Sequence, residues 1–136
     1  MSKKKIDKDM EQVAKASVKS IKVSPQKANL VLQMIRGLNA EQAINVLDFS
    51  RRRISSEIKK ILKSAISNAE NNHQLDIDKL VIKEATVGKS MVMKRFRPRA
   101  RGRSGKILKP YSKIKIIVKE IEKEKELEKE KNGTKS

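Results

Sequence analysis

Between Glu84 and Glu120 the chain has no acidic residue and twelve basic ones: Lys89, Lys94, Arg95, Arg97, Arg99, Arg101, Arg103, Lys106, Lys109, Lys113, Lys115 and Lys119. No other feature limits the possible folds as strongly. Like charges at this density repel one another, so a free-standing protein gains no stability from the segment. It is either a solvated basic loop or a stretch that needs a polyanion around it. The whole chain carries 34 basic and 16 acidic side chains, a net charge of +18 over 136 residues. That balance favours a polyanionic partner, nucleic acid ahead of an acidic membrane surface.

The flanks of the basic interval are patterned as strands. From Lys79 onward, Leu80, Val81, Ile82, Ala85, Thr86 and Val87 favour extended backbone. Further on, Ile114, Ile116 and Val118 alternate with Lys113, Lys115 and Lys119, and Ile117 breaks the polar face. The two runs can pair as antiparallel arms of one hairpin, joined by the arginine-rich segment with Pro98, Gly102 and Gly105. Hairpin loops usually hold about two to five residues. Here roughly twenty, at about 89–109, lack a core-like apolar face. At about 3.3 Å per residue, each arm would project on the order of 30 Å. A core of this size has a radius of gyration of about 12 Å, so the finger would stand clear of it. Folded RNA could hold such a finger on all sides.

Upstream, the patterns are those of one small domain. The apolar fraction is 37%, enough for a small core and not for a large one. Residues 1–11 are expected to be a disordered basic tail. Residues 13–23 are compatible with a strand through Ala16, Val18 and Ile21. Ser24-Pro25 is a strong helix start, because serine accepts from free backbone N–H groups and proline fits the first helical position. Ala28, Val31, Leu32 and Ile35 follow at helical spacing, and Gly37 stops the run. Asn39, with Gln42 three residues on, forms a loose capping box for a second helix buried through Ala43, Ile44 and Leu47. Phe49, close behind Leu47, is expected in the core. Ser50 is expected to cap a third helix with the face Ile54, Ile58, Ile61, Leu62, Ala65, Ile66 and Ala69, ending near Asn71-Asn72. Tyr111, next to Pro110, is expected to anchor the base of the hairpin. Residues 121–136 hold five lysines and five glutamates, a neutral low-complexity tail.

The expected fold is therefore α+β: three helices packed on a small antiparallel sheet, with one very long protruding β-hairpin. The single domain is expected over 12–119, its hairpin at about 79–119 and the hairpin tip near 93–103, with a Glu/Lys tail over 120–136.

Catalytic and metal chemistry find little to work with. There is no cysteine and only one histidine, His73, which removes thiolate and multi-histidine zinc sites. His73 falls at the expected end of the third helix, a favourable place for a cation against the helix dipole. Gly88-Lys89-Ser90 superficially matches the end of a phosphate-binding loop, but Lys83 stands where its first glycine is required. No enzyme, cofactor or metal is expected. No apolar run approaches the length of a membrane span, and residues 1–10 lack the apolar core of a signal peptide. An intracellular, soluble protein is expected.

The candidate nucleic-acid contacts are Lys22, Lys27, Arg36, Arg51, Arg52, Arg53, Lys89, Lys94, Arg95, Arg97, Arg99, Arg101, Arg103, Lys106 and Lys109. Arg51, Arg52 and Arg53 open the third helix, where cations oppose the helix dipole at about 0.3–1 kcal/mol each. Phosphate contacts would outweigh that cost. Phe96, among arginines, is suited to stack on an unpaired base. The run Met91-Val92-Met93 is more apolar than a solvent loop should be.

Three stretches resemble the bacterial-type large-subunit ribosomal protein twenty-two family, the universal exit-tunnel hairpin proteins. They are Ile21-Lys22-Val23-Ser24-Pro25-Gln26-Lys27-Ala28-Asn29-Leu30-Val31, running on to Ile35-Arg36-Gly37; Ala65-Ile66-Ser67-Asn68-Ala69-Glu70-Asn71-Asn72; and Met93-Lys94-Arg95-Phe96-Arg97-Pro98-Arg99-Ala100-Arg101-Gly102-Arg103, followed by Ile107-Leu108-Lys109. The third is the most specific. The resemblance covers roughly residues 12–119 and leaves out both tails. It implies a domain on the outer surface of the large subunit, with a hairpin running inward along the polypeptide exit tunnel. It implies contacts with several domains of 23S-type rRNA, with neighbouring large-subunit proteins and with the nascent polypeptide, and a role early in subunit assembly. By position, Met93, Lys94, Arg95, Phe96, Arg97, Pro98, Arg99, Ala100, Arg101, Gly102 and Arg103 would form the tip. The resemblance also implies a cytoplasmic, ribosome-bound monomer without a membrane partner, with the bacterial cytoplasm favoured over an organelle.

A DNA-architectural protein is the alternative on chemistry alone. Such proteins insert basic β-arms into the minor groove, often with an apolar wedge such as Pro98 would supply. A polybasic membrane-surface protein would need an amphipathic helix with lysine-rich flanks and bulky aromatics, which this chain lacks.

Overall fold

Ser24 starts the first helix as its sequence predicts. In the computed structural model, which describes residues 13–121, the Ser24 hydroxyl accepts from the Lys27 backbone N–H at 3.4 Å, and Pro25 occupies the first helical position. The expectations for the N-terminal tail and for the Glu/Lys tail past residue 121 lie outside the described residues.

The chain runs through strand β1 (Val13–Ile21) and helices α1 (Pro25–Ile35), α2 (Ala40–Phe49) and α3 (Ile54–His73). A 3₁₀ turn (Ile77–Lys79) leads to β2 (Leu80–Pro98) and then β3 (Ser104–Glu120). The fold is α+β, with three helices on one antiparallel sheet of order β1-β3-β2. The last strand in sequence is thus central, hydrogen-bonded along both edges, and the helices cover its apolar face.

The core lies between one face of the sheet and the helices. Ile114, Ile116 and Val118 of β3 are completely buried, flanked by Ala14 and Ala16 of β1 and by Leu80, Ile82 and Ala85 of β2. From the helices come Ala28, Val31, Leu32 and Ile35 of α1, Ala43 and Leu47 of α2, and Ile58, Ile61, Leu62, Ala65 and Ala69 of α3. Burying each large aliphatic side chain contributes about 1.5–3 kcal/mol. Alanine lines both α3 and β1 where the two pack together, and so admits the helix close to the strand.

Gly37 ends α1 with φ of +77°, a conformation glycine adopts without steric cost. The turn sends the α1–α2 connection along the free edge of β2. There the Gly37 N–H donates to the Ile82 carbonyl at 3.2 Å, and the Ile82 N–H donates to the Leu38 carbonyl at 3.0 Å. Asn39 and Val81 form an isolated antiparallel bridge beside them. The edge of β2 is thereby occupied at its base, where an open edge would invite another strand.

Several local expectations are corrected. Asn39 precedes α2 but its side chain caps nothing. Ser50 does not cap the third helix. Its N–H closes α2 by donating to the Val46 carbonyl, and its hydroxyl accepts from the Arg52 N–H at 3.5 Å. That local turn spends Ser50 on the connection, so α3 starts only at Ile54, with Arg53 in the cap position and no side-chain cap. Arg51 and Arg52 therefore precede α3. Phe49 is not core: it ends α2 with 88% of its surface exposed. The buried stripe of α2 is Ala40, Ala43 and Leu47. Phe49 lies two positions past Leu47, about 200° further round the helix.

Candidate nucleic-acid interface

The finger is more regular than the sequence suggests. Instead of a twenty-residue connection, β2 and β3 stay paired out to Pro98 opposite Ser104. The loop is only residues 99–103, closed by the Arg99 N–H donating to the Arg103 carbonyl at 2.7 Å. Arg101 and Gly102 both have positive φ, +60° and +68°. For Arg101 that backbone costs about 1–2 kcal/mol. Turn geometry, rather than apolar burial, reverses the chain here.

Two bulges in β2 set which side chains share a face. Ile82 faces Val118 but Glu84 faces Ile117, so Lys83 is an extra residue. Lys89 faces Ser112 and Val92 faces Pro110, so Ser90 and Met91 together oppose Tyr111. After the first bulge Ala85 returns to the buried face opposite Ile116, where Glu84 would otherwise stand.

Past Ser112 the sheet is reduced to a two-stranded ribbon, because β1 ends with Ile21 opposite Ser112. One face of this ribbon carries the pairs Val92–Pro110, Lys94–Leu108 and Phe96–Lys106. The other carries Met93–Lys109, Arg95–Ile107 and Arg97–Gly105. Each of these cations thus stands opposite an uncharged residue, which avoids directly opposed like charges. Cations occur on both faces, and most side chains out here are exposed. Phe96 is 72% exposed, and Leu108 and Met91 are also open. At the tip, Arg99 lies over Gly105, where a Cβ would sit 3.4 Å from its Nε.

The remaining expected contacts fall into two groups. Lys22, Lys27, Arg52, Arg53 and Lys109 gather around one groove at the base of the finger, with Leu108 and Pro110 on its wall. The Arg53 guanidinium donates to the Lys22 carbonyl at 3.0 Å, tying the two basic segments together. Arg51 is exposed beside them. Arg36 stands apart. Its Nε donates to the Ala85 carbonyl at 2.8 Å and its Nη2 to Asn29 Oδ1 at 2.7 Å, so its guanidinium fastens α1 to β2.

One further basic surface lies outside the expected set. The sheet face turned away from the helices carries Lys15, Lys113 and Lys115 at neighbouring register positions, with Lys15 opposite Ile117 and Lys115 opposite both Ser17 and Thr86. The alternation of Lys113 and Lys115 with buried isoleucines was the available signal. Among the described residues there is no cluster of histidine, cysteine or carboxylate groups suited to a metal. No described helix is long and apolar enough to cross a membrane.

The family model described as ribosomal protein L22p/L17e matches residues 16–119, from within β1 almost to the end of β3. The large ribosomal subunit protein uL22 of Maricaulis maris is 62% identical over 109 residues, which cover 80% of this chain and 86% of that protein. Its counterpart in Nitrobacter winogradskyi is 55% identical over 125 residues, covering 91% and 98%. That of Beijerinckia indica is 55% identical over 122 residues, covering 89% and 95%. A helical layer on a three-stranded sheet, a basic two-stranded finger and this extent of identity lead to one assignment: the chain belongs to the ribosomal protein L22p/L17e family.

Proposed function

We propose that the chain binds large-subunit rRNA through its finger and the basic groove at the finger's base, and that the finger lines the polypeptide exit tunnel. By family it is a structural, non-enzymatic constituent of the large ribosomal subunit in the bacterial cytoplasm. The finer assignment rests on one observation, the presence of cations on both faces of a ribbon most of whose described side chains are exposed. A polyanion on one side would need only one charged face. Cations on both faces suit rRNA surrounding the finger, with phosphates neutralised all round. Phe96 and the exposed Met91 then meet bases or the nascent polypeptide instead of water.

On this proposal Lys22, Lys27, Arg51, Arg52, Arg53, Lys89, Lys94, Arg95, Arg97, Arg99, Arg101, Arg103, Lys106 and Lys109 contact rRNA. The loop at 99–103 lies deepest, and contacts from domain and finger bridge several rRNA domains. A protein that bridges them supports folding of the subunit early in assembly, as a monomer beside neighbouring ribosomal proteins. The family membership replaces the DNA-architectural alternative.

Sucrose-gradient sedimentation of a cell lysate after a high-salt wash tests the proposal. The chain is expected to remain with the large subunit. Release into the light fractions would mean peripheral polyanion binding, with no finger threaded into rRNA.

A further inference from the structure

Phe49 is the most exposed of the large apolar side chains described, and it sits in a cationic setting. It ends α2, and Ser50-Arg51-Arg52-Arg53 leads from it into α3. A cleft along the start of α3 is bordered by Asp48, Arg52, Arg53, Ser55, Lys59 and Lys63. The Asp48 carboxylate is ion-paired with Lys59, and Lys60, also on this cleft, with Glu57. The cleft therefore keeps a positive excess.

Two features of α3 are unfinished. It is a 20-residue helix whose first turn receives no side-chain cap; the Ser55 N–H there is bonded to the Arg52 carbonyl at 3.1 Å, and the helix dipole favours an anion beside it. In the same turn Ser55 borders the cleft with only 2% of its surface exposed, and its buried hydroxyl has no hydrogen-bond partner among the described residues. Buried hydroxyls are ordinarily satisfied, and an anion in the cleft would supply the missing acceptor.

The surroundings of Phe49 decide what covers it. Protein interface cores are contiguous and poor in charge. The other exposed large apolar residues lie on α1, before β2 and on the finger, none on α2. An exposed aromatic ring followed in sequence by three arginines suits a nucleobase, whose own phosphates the cations neutralise. We propose that the α2–α3 elbow docks one unpaired nucleotide of large-subunit rRNA, its base stacked on Phe49 and an adjacent phosphate in the cleft at the start of α3. The dock presupposes the rRNA binding proposed above and adds a site that reads single-stranded RNA.

The chain has no tryptophan, so Phe49→Trp in the full chain is a lone fluorescent reporter. Its emission is expected to be quenched on titration with a large-subunit rRNA transcript, in step with retention of the complex on a filter. Phe49→Ala is expected to weaken rRNA binding by about 5- to 150-fold, the range for loss of one stacked base, while Phe49→Tyr stays near the parent chain. Because Phe49 is exposed, the alanine variant retains the fold, which circular dichroism checks. Retention on the filter with unchanged emission, and Phe49→Ala binding like the parent, would overturn the dock and leave rRNA binding standing. Quenching by assembled subunit proteins but not by naked rRNA would overturn it in favour of a protein neighbour. If the parent chain fails to bind the transcript at all, the dock and the rRNA binding beneath it fall together.

Discussion

Arg36 donates through Nε to the Ala85 carbonyl at 2.8 Å, across 49 residues of sequence. The bond joins the end of α1 to β2, just after the bulge that returns Ala85 to the core. A second bond, to Asn29 Oδ1, holds the guanidinium in place. Charge-assisted bonds of this kind contribute about 1.5–3 kcal/mol. Arg36→Ala is expected to lower the unfolding free energy by about 2 kcal/mol in urea denaturation followed by circular dichroism. Arg36→Lys recovers little of it, because an ammonium cannot reproduce the planar fork. Full stability with reduced rRNA affinity would instead make Arg36 a phosphate contact.

Ser112 is completely buried at the root of the finger, and its hydroxyl has no partner. An unmet polar group in a core carries a desolvation cost of about 1–3 kcal/mol. Ser112→Ala is therefore expected to be neutral or to stabilise by about 1 kcal/mol, read as a higher urea midpoint. A clear loss of stability would mean that the hydroxyl has a partner in solution.

Deleting Ser90 is expected to be tolerated. It removes one of two residues facing Tyr111 and leaves Lys89 opposite Ser112 and Val92 opposite Pro110 in an unbroken ladder. Deleting Ile117 has the opposite effect. It exchanges the faces of Ile114 and Ile116 with those of Lys113 and Lys115 relative to Val118, driving lysine toward the core. Soluble expression and far-UV circular dichroism distinguish the two, with the second variant unfolded.

Replacing Arg97, Arg99 and Arg101 together by Ala is expected to leave the melting temperature nearly unchanged, since all three are exposed on the finger. Filter-binding titrations should show weaker rRNA affinity. The slope of log affinity against log salt should flatten by about 0.7–0.9 for each phosphate that the variant no longer neutralises. Unchanged affinity at every salt concentration would remove these arginines from the interface.

Most local structure could be read directly from neighbouring residues. Ser24-Pro25 started α1, the stripe from Ile54 to Ala69 buried α3, and Ile114, Ile116 and Val118 lined one side of a strand. The failures at Asn39 and Ser50 have one cause. Both residue types suit several short-range hydrogen bonds, and which one forms depends on where the next helix must pack. Phe49 was misplaced because helical spacing from Ala43 and Leu47 puts it on the outward face of α2, a consequence of phase rather than of hydrophobicity.

The candidate site divides in the same way. Its charge was legible, since a run of cations without acids cannot be absorbed into so small a core. Its geometry was not. The two bulges, the pairing of each ribbon cation with an uncharged residue and the diversion of Arg36 into a structural bond all join residues far apart in sequence. By itself, the amino-acid order determined the helices, the apolar faces and the need for a polyanion, because these follow from local periodicity and summed charge. Only the tertiary structure decided register, which cations point outward and which are engaged within the protein, because those outcomes depend on contacts between strands and helices that no local pattern encodes.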